Sequence, residues 1–298
     1  MNKLQTRLRK TMRGDVKFGE LLSKHTSFRI GGPADFWVEP MDIEDLSGLL
    51  LFLRQEQLPW MIFGNGTNLL VKDGGFRGVV VNLVNFRTVN VKDDCVTAGA
   101  GSSLPEILDR ATVFELKGFE FTAGIPGTIG GAVVANAGGR SGEIGDIVRG
   151  VRVLNSGMNV ETVSAKEMNF TYRNCSLPDE VIIIEVEIGL RKGKKENIIG
   201  RRNEILEYRR LRQPLDFLSA GCIFKNPDGQ SAGELIEKAG LLGERIGGAE
   251  ISAKHANFII NKSRASAEDV CTLIKMVEGE VFARLGIKLE REVKIVGD

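Results

Sequence analysis

The stretch AGIPGTIGGAVVANAGG, residues 123–139, contains 6 glycines and otherwise mostly small side chains. Glycine adopts backbone conformations that other residues avoid, and it lets a ligand approach the main chain closely. The segment therefore fits two interpretations: tight turns in a β-rich domain, or a turn that receives a flat, bulky ligand ring. Glycine is also enriched in the whole chain, at 36 of 298 residues, about 12% against a usual ~7%.

A second glycine turn, GNGTNLLV at residues 64–71, follows an apolar run. It concentrates backbone amides, a hydroxyl and two carboxamides, and successive amides of such a turn hold a phosphate without a lysine. The segment GTIGGA at residues 127–132 has the composition of a similar turn. Two phosphate-binding turns in one domain predict a cofactor that carries a pyrophosphate.

Two familiar nucleotide motifs do not match. GAGSSL at residues 99–104 and GNGTNL at residues 64–69 both end in leucine where GxGxxG requires its third glycine. Neither opens a βαβ unit with an acidic residue at the expected distance, and no GxxxxGK[ST] motif is present. A Rossmann or P-loop nucleotide site is therefore disfavoured.

The composition is that of a globular protein with 298 residues, enough for two domains or one large one. A net charge of +1 predicts neither a nucleic-acid partner nor binding to an anionic membrane. No apolar run reaches the ~20 residues of a membrane-spanning helix. The basic start MNKLQTRLRK is not followed by an apolar segment, so we predict no secretory signal and a cytoplasmic location.

Cysteine and histidine are scarce. The 4 cysteines include no CxxC pair, and the chain has only 2 histidines. We therefore predict no metal site, no disulfide framework and no Ser-His-Asp triad.

Periodicity predicts an α+β fold. Strands are predicted over residues 60–63, 79–83, 91–98, 148–154, 181–190, 257–261 and 288–296. Helices are predicted over residues 43–57 with Asp42 as N-cap, 104–116 with Ser103 as N-cap, 196–212, 233–239 and 267–285. The charged segment RKGKKEN, residues 191–197, is a predicted domain boundary.

Six or more motifs, in the same order along nearly the whole chain, resemble the UDP-N-acetylenolpyruvoylglucosamine reductase (MurB) family. They are HTSFRIGGPAD (25–35), GNGTNLLV (64–71), AGIPGTIGGAVVANAGG (123–139), NFTYR (169–173), SAGCIFKNP (219–227), GAEISAKHANFIIN (248–261) and LEREVKIVG (289–297). No long insertion follows Arg173, which resembles the shorter class of the family, without a tyrosine-bearing lid loop.

The resemblance implies an FAD-binding domain of the vanillyl-alcohol-oxidase (PCMH) type followed by a substrate-binding α+β domain. The predicted boundaries are an N-terminal extension over residues 1–26, an FAD-binding domain over 27–192 with two lobes that divide near 85–100, and a C-terminal domain over 196–298. FAD is expected to bind non-covalently, and the protein is expected to be a monomer without nucleic-acid or membrane partners.

The reaction that the resemblance implies belongs to peptidoglycan precursor synthesis. NADPH reduces FAD, and the flavin passes a hydride to the methylene carbon of UDP-N-acetylglucosamine enolpyruvate. The adjacent carbon takes a proton, which gives UDP-N-acetylmuramate. Negative charge builds on the substrate carboxylate as an enolate, so the site needs a cation or an acid near it and a separate proton donor.

Three residues match the catalytic positions of the family. Arg173 of the Tyr-Arg motif is expected to bind the carboxylate, and Glu292 to stabilise the enolate as a neutral acid. Glu290, two residues away, is an alternative to Glu292. Cys222 stands where most members have serine and is the expected proton donor, because a thiol with a pKa of ~8.5 is a stronger acid than an alcohol.

The binding residues follow the same motifs. The predicted FAD contacts are Arg29, Gly64, Asn65, Gly66, Thr67, Asn68, Leu69, Gly127, Thr128, Gly130, Gly131, Ala132 and Asn136. The predicted substrate contacts are Tyr172, Tyr208, Arg212, Gln213, Lys225, Asn226 and His255. For His255 a purely structural role is an equal alternative.

Two other functions compete with the reductase. One is an FAD-dependent oxidase or dehydrogenase of a small alcohol or sugar on the same flavin fold. The other is a non-catalytic module that binds flavin or a UDP-sugar. The reductase motifs of the second half disfavour the oxidase, and the set Arg173, Cys222 and Glu292 disfavours the binding module.

Overall fold

The computed structural model describes residues 3–177 and 180–298, so two residues of the predicted N-terminal extension, Met1 and Asn2, lie outside it. The chain divides into two compact units, each built from three separate segments. The first unit comprises Met1–Phe18, Phe36–Gly64 and Val79–Tyr208. The second comprises Gly19–Asp35, Asn65–Gly78 and Arg209–Asp298.

Helices and strands alternate irregularly along the chain, and the predicted α+β class is confirmed. The helices are α1 (Lys3–Thr11), α2 (Ile43–Glu56), α3 (Leu104–Val113), α4 (Ile129–Val134), α5 (Lys195–Arg212), α6 (Ala232–Lys238) and α7 (Ala267–Leu285). The strands are β1 (Asp15–Leu21), β2 (Pro33–Glu39), β3 (Trp60–Phe63), β4 (Leu69–Val71), β5 (Phe76–Asn82), β6 (Val89–Lys92), β7 (Cys95–Gly99), β8 (Leu116–Lys117), β9 (Gly138–Gly139), β10 (Gly142–Glu143), β11 (Val148–Leu154), β12 (Val160–Ser164), β13 (Ile182–Gly189), β14 (Arg191–Lys192), β15 (Arg245–Ile246), β16 (Ala249–Ile251), β17 (Ile259–Asn261) and β18 (Lys294–Val296).

The first unit is organised around a five-stranded sheet in the order β12-β11-β13-β7-β6. Val151, Val186 and Ala98 lie in one row across its central strands and are buried. Alternate residues of these strands therefore face the core, as the period of a strand requires. A four-stranded sheet has the order β1-β2-β5-β3, in which β3 and β5 run parallel from Trp60 and Val79.

Local signals set the ends of the helices in the first unit. The Asp42 side chain accepts the N–H of Asp45 at 3.0 Å, and the Ser103 hydroxyl accepts the N–H of Glu106 at 3.3 Å. Both predicted N-caps are confirmed, and each such cap contributes about 1 kcal/mol.

The prediction of one strand over residues 91–98 is wrong. The chain reverses between β6 and β7, which pair antiparallel up to Lys92 and Cys95. Asp93 takes a positive φ of 54°, which aspartate tolerates better than most residues. The two aspartates at 93 and 94 were thus a turn signal inside an apolar run.

The second unit packs α6 and α7 around a separate apolar core. Its buried residues include Phe28, Leu70, Ile223, Leu235, Val270, Ile274 and Val293.

Helix α7 has the predicted bounds: Ser266 and Asp269 form a capping box at its start, and Gly286 ends it with a φ of 71°. The predicted strand over residues 288–296 is shorter, because only Lys294–Val296 pairs as a strand, parallel to β4. A three-stranded sheet has the order β15-β16-β17.

Among residues 3–177 and 180–298, no helix has the length and apolar character that crossing a bilayer requires.

Candidate active site

Arg173 lies in a tight turn of the first unit. The N–H of Asn174 donates to the carbonyl of Thr171 at 3.1 Å, and the reverse bond measures 3.0 Å. Arg173 has a φ of 55°, a conformation that costs a non-glycine residue about 1 kcal/mol. Its Nη2 donates to the carbonyl of Gly138 at 3.0 Å, and its guanidinium carbon lies 5.1 Å from the ring centroid of Tyr172. The carbonyl of Gly138 and the ring of Tyr172 therefore both contact the guanidinium.

Asn136 supports this turn from the core of the same unit. Its Nδ2 donates to the carbonyl of Thr171 at 2.9 Å and to Oε1 of Glu143 at 2.8 Å, and its Oδ1 accepts the N–H of Gly145 at 2.8 Å. The residue is fully buried. Its side-chain amide is thus occupied by protein groups, while its predicted contact with FAD stays a prediction.

Cys222 lies in a half-buried extended segment of the second unit. It forms an antiparallel bridge with Phe258, and the next residue, Ile223, donates its N–H to the carbonyl of Asn257 at 2.9 Å. Gly221 precedes the thiol with a φ of 78°, which favours glycine at that position. The segment SAGCIF is therefore fixed by its backbone on the C-terminal side of the cysteine.

The side chain of Asn257 extends this pairing. Its Oδ1 accepts the N–H of Phe224 at 2.9 Å, and its Nδ2 donates to the carbonyl of Phe224 at 2.8 Å. Asn257 is 3% exposed, so the two bonds satisfy a carboxamide that burial would otherwise destabilise. Asn257 therefore clamps the strand that carries Cys222.

Glu292 lies on the segment that pairs with the other edge of the Cys222 strand. Its N–H and that of Val293 both donate to the carbonyl of Ile223, at 2.8 and 3.3 Å. Two N–H groups on one carbonyl are the pattern of a β-bulge, a feature that redirects side chains. The carbonyl of Glu292 accepts Nδ2 of Asn68 at 3.2 Å. Cys222 and Glu292 are therefore brought onto neighbouring segments of one unit.

Glu290 has a different environment. Its Oε1 lies 2.5 Å from Nζ of Lys225, and its side chain is 73% exposed. Glu292, in contrast, is half-buried. Glu290 is thus engaged by an ammonium at the surface, whereas Glu292 is more enclosed by protein. The surroundings favour Glu292 over Glu290 as the acid.

The turn at residues 64–68 offers backbone donors. Asn82 holds its start, because Nδ2 donates to the carbonyls of Phe63 and Gly64 at 2.9 and 3.0 Å. Across the part of the chain that the structure describes, no protein acceptor is found for the N–H groups of Asn65, Gly66 and Asn68. Gly66 is buried with a φ of 59°. Donors left over at a turn that is buried at Gly66 and exposed at Asn65 fit a phosphate-bearing cofactor that reaches the turn from solvent.

The turn at residues 127–132 uses its amides differently. The N–H groups of Ile129, Gly130 and Ala132 donate to the carbonyls of Ser102, Ala100 and Thr128, and the N–H of Gly131 donates to the Thr128 hydroxyl. The prediction of a second amide nest is therefore wrong for these four residues. Thr128 is instead the N-cap of α4.

Close packing explains two of the glycines in these turns. A Cβ on Gly64 would lie 2.9 Å from Oγ1 of Thr128, and one on Gly130 would lie 3.0 Å from Cβ of Ala100. Gly131 is exposed, so its surface is open to a ligand. In the second unit, the donors at Asn65, Gly66 and Asn68 fit the phosphate groups of the FAD that the sequence predicts.

The remaining predicted residues are dispersed over both units. Tyr208 accepts Nη1 of Arg140 at 3.2 Å in the first unit. In the second unit, Oδ1 of Asn226 accepts the N–H of Ala232 at the start of α6, and Nη1 of Arg29 donates to the carbonyl of Lys24. Arg212 is exposed at the end of α5, and Gln213 follows it. These residues stay predictions as ligand contacts.

His255 is mainly enclosed by protein. Its ring centroid lies 4.8 Å from that of Phe258, and its Nδ1 accepts the N–H of Asn257 at 3.3 Å. Burial lowers the pKa of His255, so the imidazole is neutral at pH 7. A neutral imidazole does not bind a diphosphate as a cation, and this geometry favours the structural alternative.

The asparagines at 82 and 257 were missed as site residues. Each is a carboxamide beside or inside an apolar run, VVVNL and ANFII. A polar side chain in such a run signals an internal hydrogen bond, but the partner is distant in sequence.

Within the described ranges, no three His, Cys, Asp or Glu side chains cluster in a way that would hold a metal ion.

Two family models match the chain. Residues 213–296 match the model of the UDP-N-acetylenolpyruvoylglucosamine reductase C-terminal domain, and residues 34–164 match an FAD binding domain. The predicted combination of a PCMH-type flavin domain with a C-terminal domain of this family is confirmed.

Proteins named UDP-N-acetylenolpyruvoylglucosamine reductase resemble the chain over almost its full length. One from Caldanaerobacter subterraneus is 46% identical over 96% of this chain and 95% of its own. One from Clostridioides difficile is 42% identical over 95% of this chain and 94% of its own. The crystal structure of the reductase from Thermus caldophilus superimposes with a TM-score of 0.83 at 37% identity, covering 96% of this chain and all of the other.

Proposed function

The chain belongs to the UDP-N-acetylenolpyruvoylglucosamine reductase family of FAD-binding oxidoreductases, and from that premise we propose that it reduces UDP-N-acetylglucosamine enolpyruvate to UDP-N-acetylmuramate with NADPH, in peptidoglycan precursor synthesis. FAD, held by the glycine turn at residues 64–68, would supply the hydride transfer between NADPH and the enolpyruvyl methylene carbon. The residues of this chain bind and orient the substrate, stabilise developing charge and supply a proton.

The observation that carries the proposal is the pairing of the Cys222 and Glu292 segments through the carbonyl of Ile223. It brings the backbone segments that carry a half-buried thiol and a half-buried carboxyl group next to each other in the second unit. A reduction that adds a hydride to one carbon and a proton to the next needs such groups. The pairing therefore supports a proton-delivering site rather than a simple binding surface.

Cys222 is the proposed proton donor to the carbon next to the carboxylate. The thiol can give its proton to carbon and regain one from solvent, so no covalent intermediate is required. It is half-buried, which leaves it accessible to a bound substrate. A serine in its place would perform the same role as a weaker acid.

Arg173 is the proposed ligand of the substrate carboxylate. A guanidinium binds a carboxylate through two parallel hydrogen bonds, and it stabilises the enolate charge that forms during hydride addition. One edge of the Arg173 guanidinium is already held by Gly138, and the stacking on Tyr172 limits its rotation. Glu292 is the proposed neutral acid that donates a second hydrogen bond to the enolate oxygen.

The proposed cofactor contacts lie in two glycine turns, one in each unit. We propose that the N–H groups of Asn65, Gly66 and Asn68 bind the FAD pyrophosphate, while the open surface at Gly131 receives an apolar part of the cofactor. Lys225, whose ammonium pairs with Glu290, and Asn226, which holds α6, have roles near the substrate that are supported by position in the Cys222 motif alone. We further propose a cytoplasmic monomer.

The test is anaerobic oxidation of NADPH by the purified holoenzyme, with and without UDP-N-acetylglucosamine enolpyruvate. The proposal predicts strong dependence on this substrate, with UDP-N-acetylmuramate as the product. NADPH consumption that starts only when oxygen is admitted would contradict it and favour an FAD oxidase or dehydrogenase of a small alcohol or sugar.

A further inference from the structure

The Arg173 turn is attached to the fold through Asn136. Asn136 is fully buried, and its Nδ2 donates to the carbonyl of Thr171, the first residue of the turn, at 2.9 Å. We propose that Asn136 is a positioning residue that orients the Arg173 guanidinium toward the substrate carboxylate. The proposal rests on the function proposed above for Arg173.

Two contacts connect the short segment 136–138 to the turn. The Asn136 side chain holds the main chain of Thr171, and the carbonyl of Gly138 holds Nη2 of Arg173 at 3.0 Å. The β9 and β10 strands pair Gly138 with Glu143, whose Oε1 also accepts Nδ2 of Asn136. One side chain thus fixes both the backbone that carries Arg173 and the hairpin whose carbonyl anchors the guanidinium.

Only asparagine satisfies this position among residues of its size. The site needs two N–H donors toward Thr171 and Glu143, and one acceptor toward the N–H of Gly145 at 2.8 Å. It also needs a positive φ, here 39°, which asparagine tolerates better than most residues. Aspartate has the same shape and also tolerates this φ, but it replaces both donors by an acceptor.

The variant Asn136→Asp is therefore the sharpest probe. It keeps the bond to Gly145 and sets a carboxylate oxygen against the carbonyl of Thr171 and the carboxylate of Glu143. The turn loses its anchor, and the guanidinium moves from its productive position. Displacement of a positioning group by about 1 Å can cost on the order of 10²-fold in rate.

The test is calorimetric binding to the oxidised holoenzyme with two ligands: UDP-N-acetylglucosamine enolpyruvate, and UDP-N-acetylglucosamine, which lacks the carboxylate. Asn136→Asp should weaken binding of the first about 10- to 100-fold, the range expected for lost charge-assisted hydrogen bonds. Binding of the second should match the wild type, whereas a lowered FAD content would instead point to the predicted FAD contact of Asn136. In an Arg173→Ala background the same substitution should have little further effect, because both changes remove one interaction.

Asn155→Asp is the matched control, since Asn155 also holds a turn of the first unit, by accepting the N–H groups of Gly157 and Asn159. It should leave both affinities unchanged. Equal weakening of both ligands by Asn136→Asp, loss of FAD, or full additivity with Arg173→Ala would overturn the proposal.

If Asn136→Asp does not fold, Asn136→Gly keeps the positive φ accessible and removes the bonds to Thr171 and Glu143, together with the one from Gly145. Failure of both variants to fold would also overturn the proposal, because Asn136 would then be purely structural. A wild type that binds the two ligands equally would instead contradict the proposed function of Arg173.

Discussion

The side chain of Asn257 pairs with Phe224 as a neighbouring strand would. It accepts the N–H of Phe224 at 2.9 Å and donates to its carbonyl at 2.8 Å. Asn82 and Asn136 donate from their side-chain amides to main-chain carbonyls of the turns at Gly64 and Thr171. Each segment with a proposed functional group is thus held by a carboxamide that bonds its main chain. Buried, fully satisfied polar contacts of this kind fix a single arrangement.

Asn257→Asp should destabilise the protein. The variant keeps the bond from the N–H of Phe224 but faces the Phe224 carbonyl with an acceptor. An unsatisfied buried group costs about 1–3 kcal/mol, so the free energy of unfolding should fall by that amount in a denaturant titration. Asn203→Asp on the exposed face of α5 is the control and should stay near the wild type. Identical unfolding curves for all three proteins would show that the clamp contributes nothing.

Cys222→Ala should separate the two half-reactions. Reduction of the flavin by NADPH should proceed at the wild-type rate, while its reoxidation by substrate should slow by roughly 10²- to 10⁴-fold, the usual contribution of a general acid. Cys222→Ser should keep substantial activity, because a hydroxyl can take the same position. Stopped-flow absorbance measures both steps. Cys95→Ser, a substitution of a different cysteine in β7, is the control and should leave both rates unchanged. Full turnover by Cys222→Ala would exclude the thiol as the proton donor.

Glu292→Gln and Glu290→Gln should differ sharply. Glu290 is 73% exposed and paired with Lys225, so its replacement removes a surface ion pair and should leave kcat near the wild type. Glu292→Gln removes the proposed acid and should lower kcat for the substrate by at least about tenfold, with little change in the rate of flavin reduction. The reverse ranking of the two variants would assign the acid to Glu290.

His255 predicts a pH dependence of stability. Burial lowers the pKa of its imidazole in the folded state, so the unfolded chain binds a proton at a higher pH than the native chain does. Stability is therefore lost as the pH falls below the ordinary histidine value of about 6.5, toward the lowered native value. The free energy of unfolding of His255→Gln should decline less than that of the wild type over this range. Parallel curves for the two proteins would argue against a buried neutral imidazole.

Much of the fold follows from local sequence. The caps at Asp42, Ser103 and Ser266 mark helix starts because each side chain bonds an N–H three residues ahead. The hairpin around Asp93 was missed because its turn is only two residues long and is flanked by apolar runs on both sides.

Sequence motifs predict residues of the candidate site, but they do not predict the hydrogen bonds that hold the segments carrying them. Cys222, Glu292 and Arg173 lie in recognisable motifs, whereas the partners of Asn136 and Asn257 are 35 and 33 residues away. A sequence pattern predicts that an asparagine in an apolar run is buried, but it does not predict which residue is its hydrogen-bond partner. Residues 65–78 belong to the same compact unit as residues 209–298, which lie more than 100 positions further along the chain, so local sequence patterns do not predict this packing. The domain boundaries predicted from the sequence stay predictions.

The most direct test of the account is a single turnover in deuterated water. The holoenzyme is reduced anaerobically with one equivalent of NADPH and then mixed with UDP-N-acetylglucosamine enolpyruvate. The account predicts that flavin absorbance returns without oxygen, that UDP-N-acetylmuramate forms in equal amount, and that solvent deuterium lies on the lactyl carbon next to the carboxylate. Flavin that stays reduced until oxygen enters, or deuterium found in the methyl group instead, would contradict it.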